Sequence, residues 1–177
     1  MQQRFRKLAA ALLLLALGGG TIAAFLAVRG RIARRGAGPA QIPNLPLRDR
    51  SGARTDLATV AAGRPAVLAF VDSGCSHCRS MAAKLAAALA NEPPGACRLL
   101  LIVEGEAEVL FGTAPATVRP DDRVRLFLDD GSLRRNLLGL ARVPHTLFVD
   151  AERRVVRSLP GDRDPAFLAA ELGRFCR

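Results

Sequence analysis

Two cysteines three positions apart carry the strongest chemical signal in this chain. Cys75 and Cys78 enclose the dipeptide Ser76-His77, directly follow the apolar run 66–71 and precede an alanine-rich segment with helical spacing. A thiolate is the nucleophile in thiol–disulfide exchange, and the amides and dipole at the start of a helix favour the thiolate there. We therefore expect Cys75 to attack a disulfide and Cys78, one turn into the helix, to resolve the mixed disulfide.

The same pair could instead be half of a metal site. The chain has two histidines, His77 and His145, and two thiolates with one imidazole could hold Cu(I) or Zn²⁺. A copper-handling function therefore stays open beside disulfide exchange. In the disulfide-exchange interpretation, which we favour, the site needs neither a metal nor an organic cofactor.

The segments around the cysteines alternate between strand and helix patterns. Apolar runs bounded by turn residues predict strands at 45–48, 65–71, 98–103, 124–128, 146–149 and 155–158. Apolar periodicity, capping residues and prolines predict helices at 79–90, 133–140 and 165–175.

Two of these helices carry more detailed predictions. Ser132 is the expected cap of the helix at 133–140. The apolar side of the last helix is expected to consist of Phe167, Leu168, Leu172 and Phe175. Segment 104–120 fits no clear pattern beyond a short helix around 106–111.

The first forty residues differ from the rest of the chain. Residues 8–28 form an uncharged stretch of 21 residues, rich in leucine and alanine and flanked by basic side chains. About 20 apolar residues suffice to cross a bilayer. The sequence therefore predicts a cytoplasmic tail at 1–7, a transmembrane anchor at 8–28, a linker at 29–40 and one domain at 41–177. A cleaved signal peptide is the alternative, because the stretch is N-terminal and contains small residues near its end.

Basic charge is concentrated beside the apolar stretch. The net charge is +10, of which residues 1–39 supply +7 and residues 40–177 only +3. This distribution fits topology signals or contact with anionic lipid headgroups, and we expect no nucleic-acid partner. Because disulfide chemistry persists in oxidising compartments, we expect the domain to lie outside the cytoplasm.

The order of elements and two motifs resemble a known family. The motifs are Cys75-Ser76-His77-Cys78 and Arg142-Val143-Pro144-His145-Thr146, and segment 43–57 precedes both. Together they look like the membrane-anchored TlpA and ResA type of bacterial thiol–disulfide oxidoreductase, with MauD-like accessory proteins as a close second. The resemblance covers residues 41–177.

This resemblance implies a thioredoxin-like α/β fold, with a central mixed β-sheet flanked by helices. It implies a cis peptide bond before Pro144, which would lie against the cysteine pair, and a substrate chain bound along Val143 and Pro144. The catalytic set would be Cys75, His77, Cys78 and Pro144. The implied partners are protein thiols or disulfides of the cell envelope and a redox partner that resets the pair. The location would be the bacterial cell membrane, with a single span and an extracytoplasmic domain.

Three residues depart from the family pattern. Gly74 stands where the family often has Trp, Ala69 where many thioredoxins keep a buried carboxylate, and Met81 where some ResA-like proteins place an acid. A dedicated proton acceptor for Cys78 is therefore missing at the expected places. The nearest carboxylate along the chain is Asp72.

His77 points to a particular redox direction. A histidine directly before the second cysteine resembles the dipeptide of DsbA-like proteins, where it stabilises the first thiolate and makes the disulfide easier to reduce. The alternative is a solvent-exposed residue with a modest effect. We predict a reduction potential less negative than the value of about −270 mV for thioredoxin.

The remaining cysteines are Cys97 and Cys176. In a thioredoxin topology both lie at the pole opposite the C-x-x-C pair, so a structural disulfide between them is possible, and two free buried thiols are the alternative. A third interpretation of the whole chain is a binding-only accessory module for the maturation of another envelope protein.

Overall fold

The computed structural model of the chain describes residues 41–106, 123–129 and 131–177. Seven strands and four helical segments lie within these ranges. The strands are β1 (Pro46–Arg48), β2 (Arg54–Asp56), β3 (Ala66–Asp72), β4 (Arg98–Glu104), β5 (Val124–Asp129), β6 (His145–Val149) and β7 (Val155–Pro160). The helical segments are α1 (Leu57–Ala61), α2 (Ser76–Ala90), α3 (Leu133–Leu137), which has π-helical hydrogen bonding, and α4 (Pro165–Phe175).

The seven described strands form one mixed sheet in the order β2-β1-β5-β4-β3-β6-β7. Strands β3, β4 and β5 run parallel at its centre. The remaining strands pair antiparallel on either side. Parallel strands covered on both faces are built from continuous apolar runs, and the first six residues of β3 are all buried. The predicted α/β fold with a mixed sheet is confirmed.

Helices cover both faces of this sheet. On one face α2 buries Met81, Leu85 and Leu89, which are spaced four residues apart, and shares an apolar cluster with α4. On the other face a second cluster includes Leu57 of α1 and Leu133 of α3. Alternate residues of β3 belong to the two clusters, because successive side chains of a strand point to opposite faces. Strand β3 is thus packed on both faces up to the point where the chain leaves it for the cysteines.

The closing helix α4 has the predicted bounds and a narrower apolar face than predicted. Leu168 and Leu172 are buried, whereas Phe167 is 37% exposed. The prediction that Phe167 faces the core is therefore wrong. Neighbouring helical residues lie about 100° apart, so Phe167 falls at the edge of a stripe centred on its successor. Phe175 packs edge-to-face on Phe148, with ring centroids 5.1 Å apart.

The helix predicted at 133–140 is shorter and capped differently. It ends at Leu137, so the predicted length is wrong. Ser132 is its N-cap residue, as predicted, but the Ser132 side chain makes no cap hydrogen bond. Asp129, at the end of β5, instead accepts hydrogen bonds from the first two N–H groups of α3 at 3.2 and 3.4 Å. A carboxylate brought in by the preceding strand replaces the local cap.

The short helix α1 was not predicted. Asp56 caps it, because its carboxylate accepts a hydrogen bond from Thr59 N–H at 2.8 Å. The helix ends at Ala62, which has a left-handed conformation with φ of 51°. Five residues are too few for a helical period to show in the sequence.

The predicted tail at 1–7, anchor at 8–28 and linker at 29–40 lie outside the described residues, as does most of the helix suggested at 106–111. Within the three described ranges, no helix has both the length and the apolar character needed to cross a membrane.

Candidate redox site

The C-x-x-C pair follows β3, one of the three parallel strands at the centre of the sheet. The strand ends at Asp72, and a tight turn follows before α2 begins. Cys75 N–H donates to the Asp72 carbonyl at 3.2 Å, and Gly74 N–H donates to the Asp72 carboxylate at 2.8 Å. A Cβ on Gly74 would meet that carboxylate oxygen at 3.3 Å. The glycine that departs from the family pattern therefore fits the close approach of Asp72.

Cys75 is the N-cap residue of α2. Its backbone is extended, with φ of −91° and ψ of 116°, and its Sγ accepts a hydrogen bond from Cys78 N–H at 3.3 Å. A sulfur thus occupies the place of the oxygen that usually satisfies a free amide at a helix start. The Sγ atom of Cys75 therefore faces the Cys78 N–H group and the positive end of the helix dipole. Cys75 is also partly exposed, which a nucleophile requires.

Cys78 has the opposite environment. Its side chain is buried, and burial, followed by a hydrogen bond with Cys75, raises its pKa to about 12. The negative charges of Cys75 and Asp72 add to this rise, and the Asp72 backbone opposes it. Cys78 therefore stays a thiol at neutral pH, as expected of a resolving cysteine that reacts second.

The Val143–Pro144 peptide bond is cis, as the resemblance implied. Strand β6 begins directly after it and pairs antiparallel with β3, with His145 opposite Phe70. This register brings Pro144 to the edge of the sheet from which the chain departs toward Cys75. Pro144 is buried, its carbonyl accepts a hydrogen bond from Gly161 N–H at 2.8 Å, and Val143 packs against the core.

The two histidines are in different surroundings. His77 is 78% exposed, and its Nδ1 lies 3.9 Å from an oxygen of Asp162. His145 is buried, and its Nε2 is 2.8 Å from Ser158 Oγ. Burial first, and then the charge of Arg134, lowers the pKa of His145 to about 4. Across residues 41–106, 123–129 and 131–177, no three histidine, cysteine or acidic side chains are grouped so that they could hold a metal ion.

Two ion pairs at the end of the sheet that carries the cysteines were not predicted from the sequence. Glu104, at the end of β4, accepts a hydrogen bond from Arg134 Nε at 2.7 Å. Asp162, in the loop between β7 and α4, pairs with Lys84 at 3.0 Å. The partners are far apart in the chain, so spacing could not reveal them. The one available signal was that Lys84 is the only lysine in residues 41–177 of an arginine-rich chain.

Cys97 and Cys176 are joined by a disulfide, with their Cα atoms 5.2 Å apart. Cys97 directly precedes β4, whereas Cys75 follows the end of the parallel strand β3. The bridge and the C-x-x-C pair therefore lie at opposite edges of the sheet. Only the C-x-x-C pair has free thiols among the described cysteines.

No protein-family profile and no curated protein matches the chain. Solved structures do match it. A thiol:disulfide interchange protein of the thioredoxin family from Chlorobium tepidum aligns with a TM-score of 0.62 and 15% identity, over 78% of this chain and 97% of that one. A secreted Mycobacterium tuberculosis disulfide oxidoreductase homologous to E. coli DsbE aligns with a TM-score of 0.55 and 21% identity, over 74% of this chain and 96% of that one.

StoA from Bacillus subtilis gives a TM-score of 0.54 at 14% identity, over 75% of this chain and 98% of its own. At these low identities, the structural alignments establish the fold alone. The thioredoxin-like fold predicted from the order of elements is therefore confirmed.

Proposed function

We propose that this protein is a thiol–disulfide oxidoreductase that works through Cys75 and Cys78. The observation that carries the proposal is the contrast between the two sulfurs. Cys75 caps a helix and accepts a hydrogen bond from Cys78 N–H at 3.3 Å, while burial holds the pKa of Cys78 at about 12. Cys75 is therefore the sulfur that attacks first, and Cys78 is the sulfur that reacts second.

The reaction follows from this contrast. The Cys75 thiolate attacks a substrate disulfide, so that a bond forms between Cys75 Sγ and one substrate sulfur while the other substrate sulfur leaves as a thiolate. Cys78 then gives its proton to the first substrate thiolate and attacks Cys75 Sγ, which releases the second substrate thiolate and leaves a Cys75–Cys78 disulfide. The substrate is reduced by two electrons and the protein is oxidised by two. The reverse sequence oxidises a dithiol.

The cis-proline segment supports this assignment. Val143 and Pro144 precede β6 at the edge of the sheet where β3 ends. Val143 is only partly buried, so its backbone can pair with an extended peptide and hold a substrate disulfide in line with the attacking sulfur. Pro144 has no N–H, and its carbonyl already accepts a hydrogen bond from Gly161. We assign Val143 and Pro144 to substrate binding, and His77 to tuning of the Cys75 thiolate.

We further propose that residues 8–28 anchor the domain to the bacterial cell membrane on its extracytoplasmic side, as in TlpA- and ResA-type proteins. The uncharged stretch and its basic flanks support this. So do neighbours described as secreted in M. tuberculosis and as an exposed lipoprotein in Streptococcus pneumoniae. The substrates would be envelope proteins with exposed thiols or disulfides, and a separate partner would reset the pair.

Variants of the full-length chain in detergent test the exchange chemistry. In an insulin-reduction assay with dithiothreitol, Cys75→Ser should lower the rate to that of reductant alone. Pre-reduced Cys78→Ser, mixed with insulin after removal of the dithiothreitol, should accumulate a mixed disulfide, because no second thiol is left to resolve it. The matched control is Cys97→Ser combined with Cys176→Ser, which alters the other two cysteines and should keep the exchange activity. Full activity in Cys75→Ser would contradict the proposal and favour a binding-only role.

A further inference from the structure

Asp162 links the loop between β7 and α4 to the face of α2 that carries the active-site histidine. Its Oδ2 lies 3.9 Å from His77 Nδ1. Both of its carboxylate oxygens accept hydrogen bonds from Lys84 Nζ at 3.0 Å. Lys84 also donates to the Arg163 carbonyl at 3.1 Å. One carboxylate therefore contacts two basic side chains of α2, one in the first turn and one two turns further along.

Asp162 is an anion at neutral pH. Burial by itself would raise its pKa, but the hydrogen bond and the charge of Lys84 outweigh burial, and the net effect lowers the pKa of Asp162. The Ser80 side chain contributes in the same direction. A fixed negative charge therefore stands beside His77.

The His77 imidazolium can interact electrostatically with two anions, the Cys75 thiolate and the Asp162 carboxylate. Its ring is 78% exposed, so it is not packed tightly over the cysteine pair. The described hydrogen bond to Cys75 Sγ comes from Cys78 N–H. Because Coulomb attraction falls with distance, an imidazolium drawn toward Asp162 stabilises the Cys75 thiolate less, and the charge of Asp162 opposes the thiolate further.

On the premise that the cysteine pair exchanges disulfides as described above, we propose that Asp162 is a positioning residue that holds the His77 imidazolium away from Cys75 and so limits how oxidising the pair is. Lys84 counteracts Asp162, because it competes for the same carboxylate. Replacement of Asp162 and replacement of Lys84 should therefore shift the redox equilibrium in opposite directions. A purely structural role would not reverse the sign.

The test is equilibration of the full-length chain, in detergent, with glutathione buffers. Asp162→Asn should favour the reduced pair by about two- to fivefold, the range expected for a surface charge interaction. This corresponds to a potential less negative by about 10 to 20 mV, at about 30 mV per tenfold change. Lys84→Gln should shift the equilibrium toward the oxidised pair.

The matched control is Asp164→Asn, which removes the same charge two residues further along. Asp164 caps α4 by accepting a hydrogen bond from Ala166 N–H at 2.8 Å, and its replacement should leave the redox equilibrium unchanged. In a His77→Gln background the effect of Asp162→Asn should fall to less than half, because no imidazolium remains to be redirected.

Two results would overturn the inference: an unchanged equilibrium in Asp162→Asn, or an equal shift in the presence and absence of His77. Failure of the unmodified Cys75–Cys78 pair to exchange with glutathione would be a different result. It would contradict the proposed function itself, and this inference with it.

Discussion

At the scale of single residues, the contrast between the two histidines has a consequence for stability. His77 is largely exposed at the start of α2. His145 is only 3% exposed, follows the cis proline and is hydrogen-bonded to Ser158. Burial, and then the charge of Arg134, lowers the pKa of His145 to about 4. Below its usual pKa, this histidine binds a proton more readily in the unfolded chain than in the folded one.

His145 should therefore make folding pH-dependent. Its stabilising contribution is complete above the unfolded pKa of about 6.5 and is lost as pH falls toward 4, since only the unfolded chain binds the proton in that window. The difference amounts to as much as about 3 kcal/mol. His145→Gln, which does not titrate, should flatten the slope of unfolding free energy between pH 4 and 6.5, measured by denaturant titration of the full-length chain. An unchanged slope would show that His145 does not carry this dependence.

At this scale the sequence was most informative for residues whose type and spacing fit few structural roles. The spacing of Cys75 and Cys78 and the pattern after them predicted a helix start at the cysteines, because a helix start is a local feature. The cis bond before Pro144 was implied by the family resemblance. The surroundings of His77 could not be predicted in this way. Asp162 reaches it from a loop more than eighty residues away, and only the assembled fold brings the two together.

At the scale of secondary-structure elements, a buried ion pair ties α3 to the end of β4. The Arg134 and Glu104 side chains are 5% and 14% exposed and lie 2.7 Å apart. Arg134 also donates to the Leu140 carbonyl at 2.8 Å. These contacts hold the segment after α3 against the pole of the sheet that carries the cysteines.

Loss of one charge of this pair should destabilise the fold. Glu104→Gln leaves Arg134 charged and buried without its counter-ion, and we expect a loss of about 3 kcal/mol of unfolding free energy. Glu152→Gln is the matched control, because Glu152 pairs with Arg154 at 3.0 Å on the surface, where ion pairs contribute little. Urea titration of both variants makes the comparison. Equal stability of the two would contradict a structural role for the buried pair.

Apolar patterns in the sequence predicted the long helices and strands. The short helices have too few residues for such a pattern, so their bounds and capping hydrogen bonds were not predicted correctly. The bounds of α4 and the cores of β3 and β4 were predicted because each buries a continuous or periodic set of side chains. The hydrogen bonds that cap α3 were not, since they come from Asp129 in the preceding strand. Helix α1 has five residues, which is less than two turns.

At the scale of the whole molecule, the Cys97–Cys176 disulfide closes a loop with a sequence separation of 79. It connects the residue before β4 to the end of α4, at the edge of the sheet opposite the C-x-x-C pair. Such a bridge restricts the unfolded chain over nearly half of its length. Cys97 and Cys176 are thus a structural pair, distinct from the Cys75–Cys78 pair that is proposed to react.

Removal of this bridge should lower stability without stopping the exchange reaction. Cys97→Ser with Cys176→Ser should cost about 2 to 4 kcal/mol of unfolding free energy, the usual range for a disulfide that closes a long loop. Thiol counting on chain purified without reductant should find Cys97 and Cys176 protected. Four reactive thiols in the unfolded, unreduced chain would contradict the bridge.

The most direct test of the central claim is a redox titration of the full-length chain in glutathione buffers, read by alkylation and mass spectrometry of the peptide that contains Cys75 and Cys78. We expect one two-electron transition between dithiol and disulfide, at a potential less negative than the thioredoxin value of about −270 mV. A peptide that stays in the dithiol form in every buffer would contradict the assignment of Cys75 and Cys78 as a reversible redox pair.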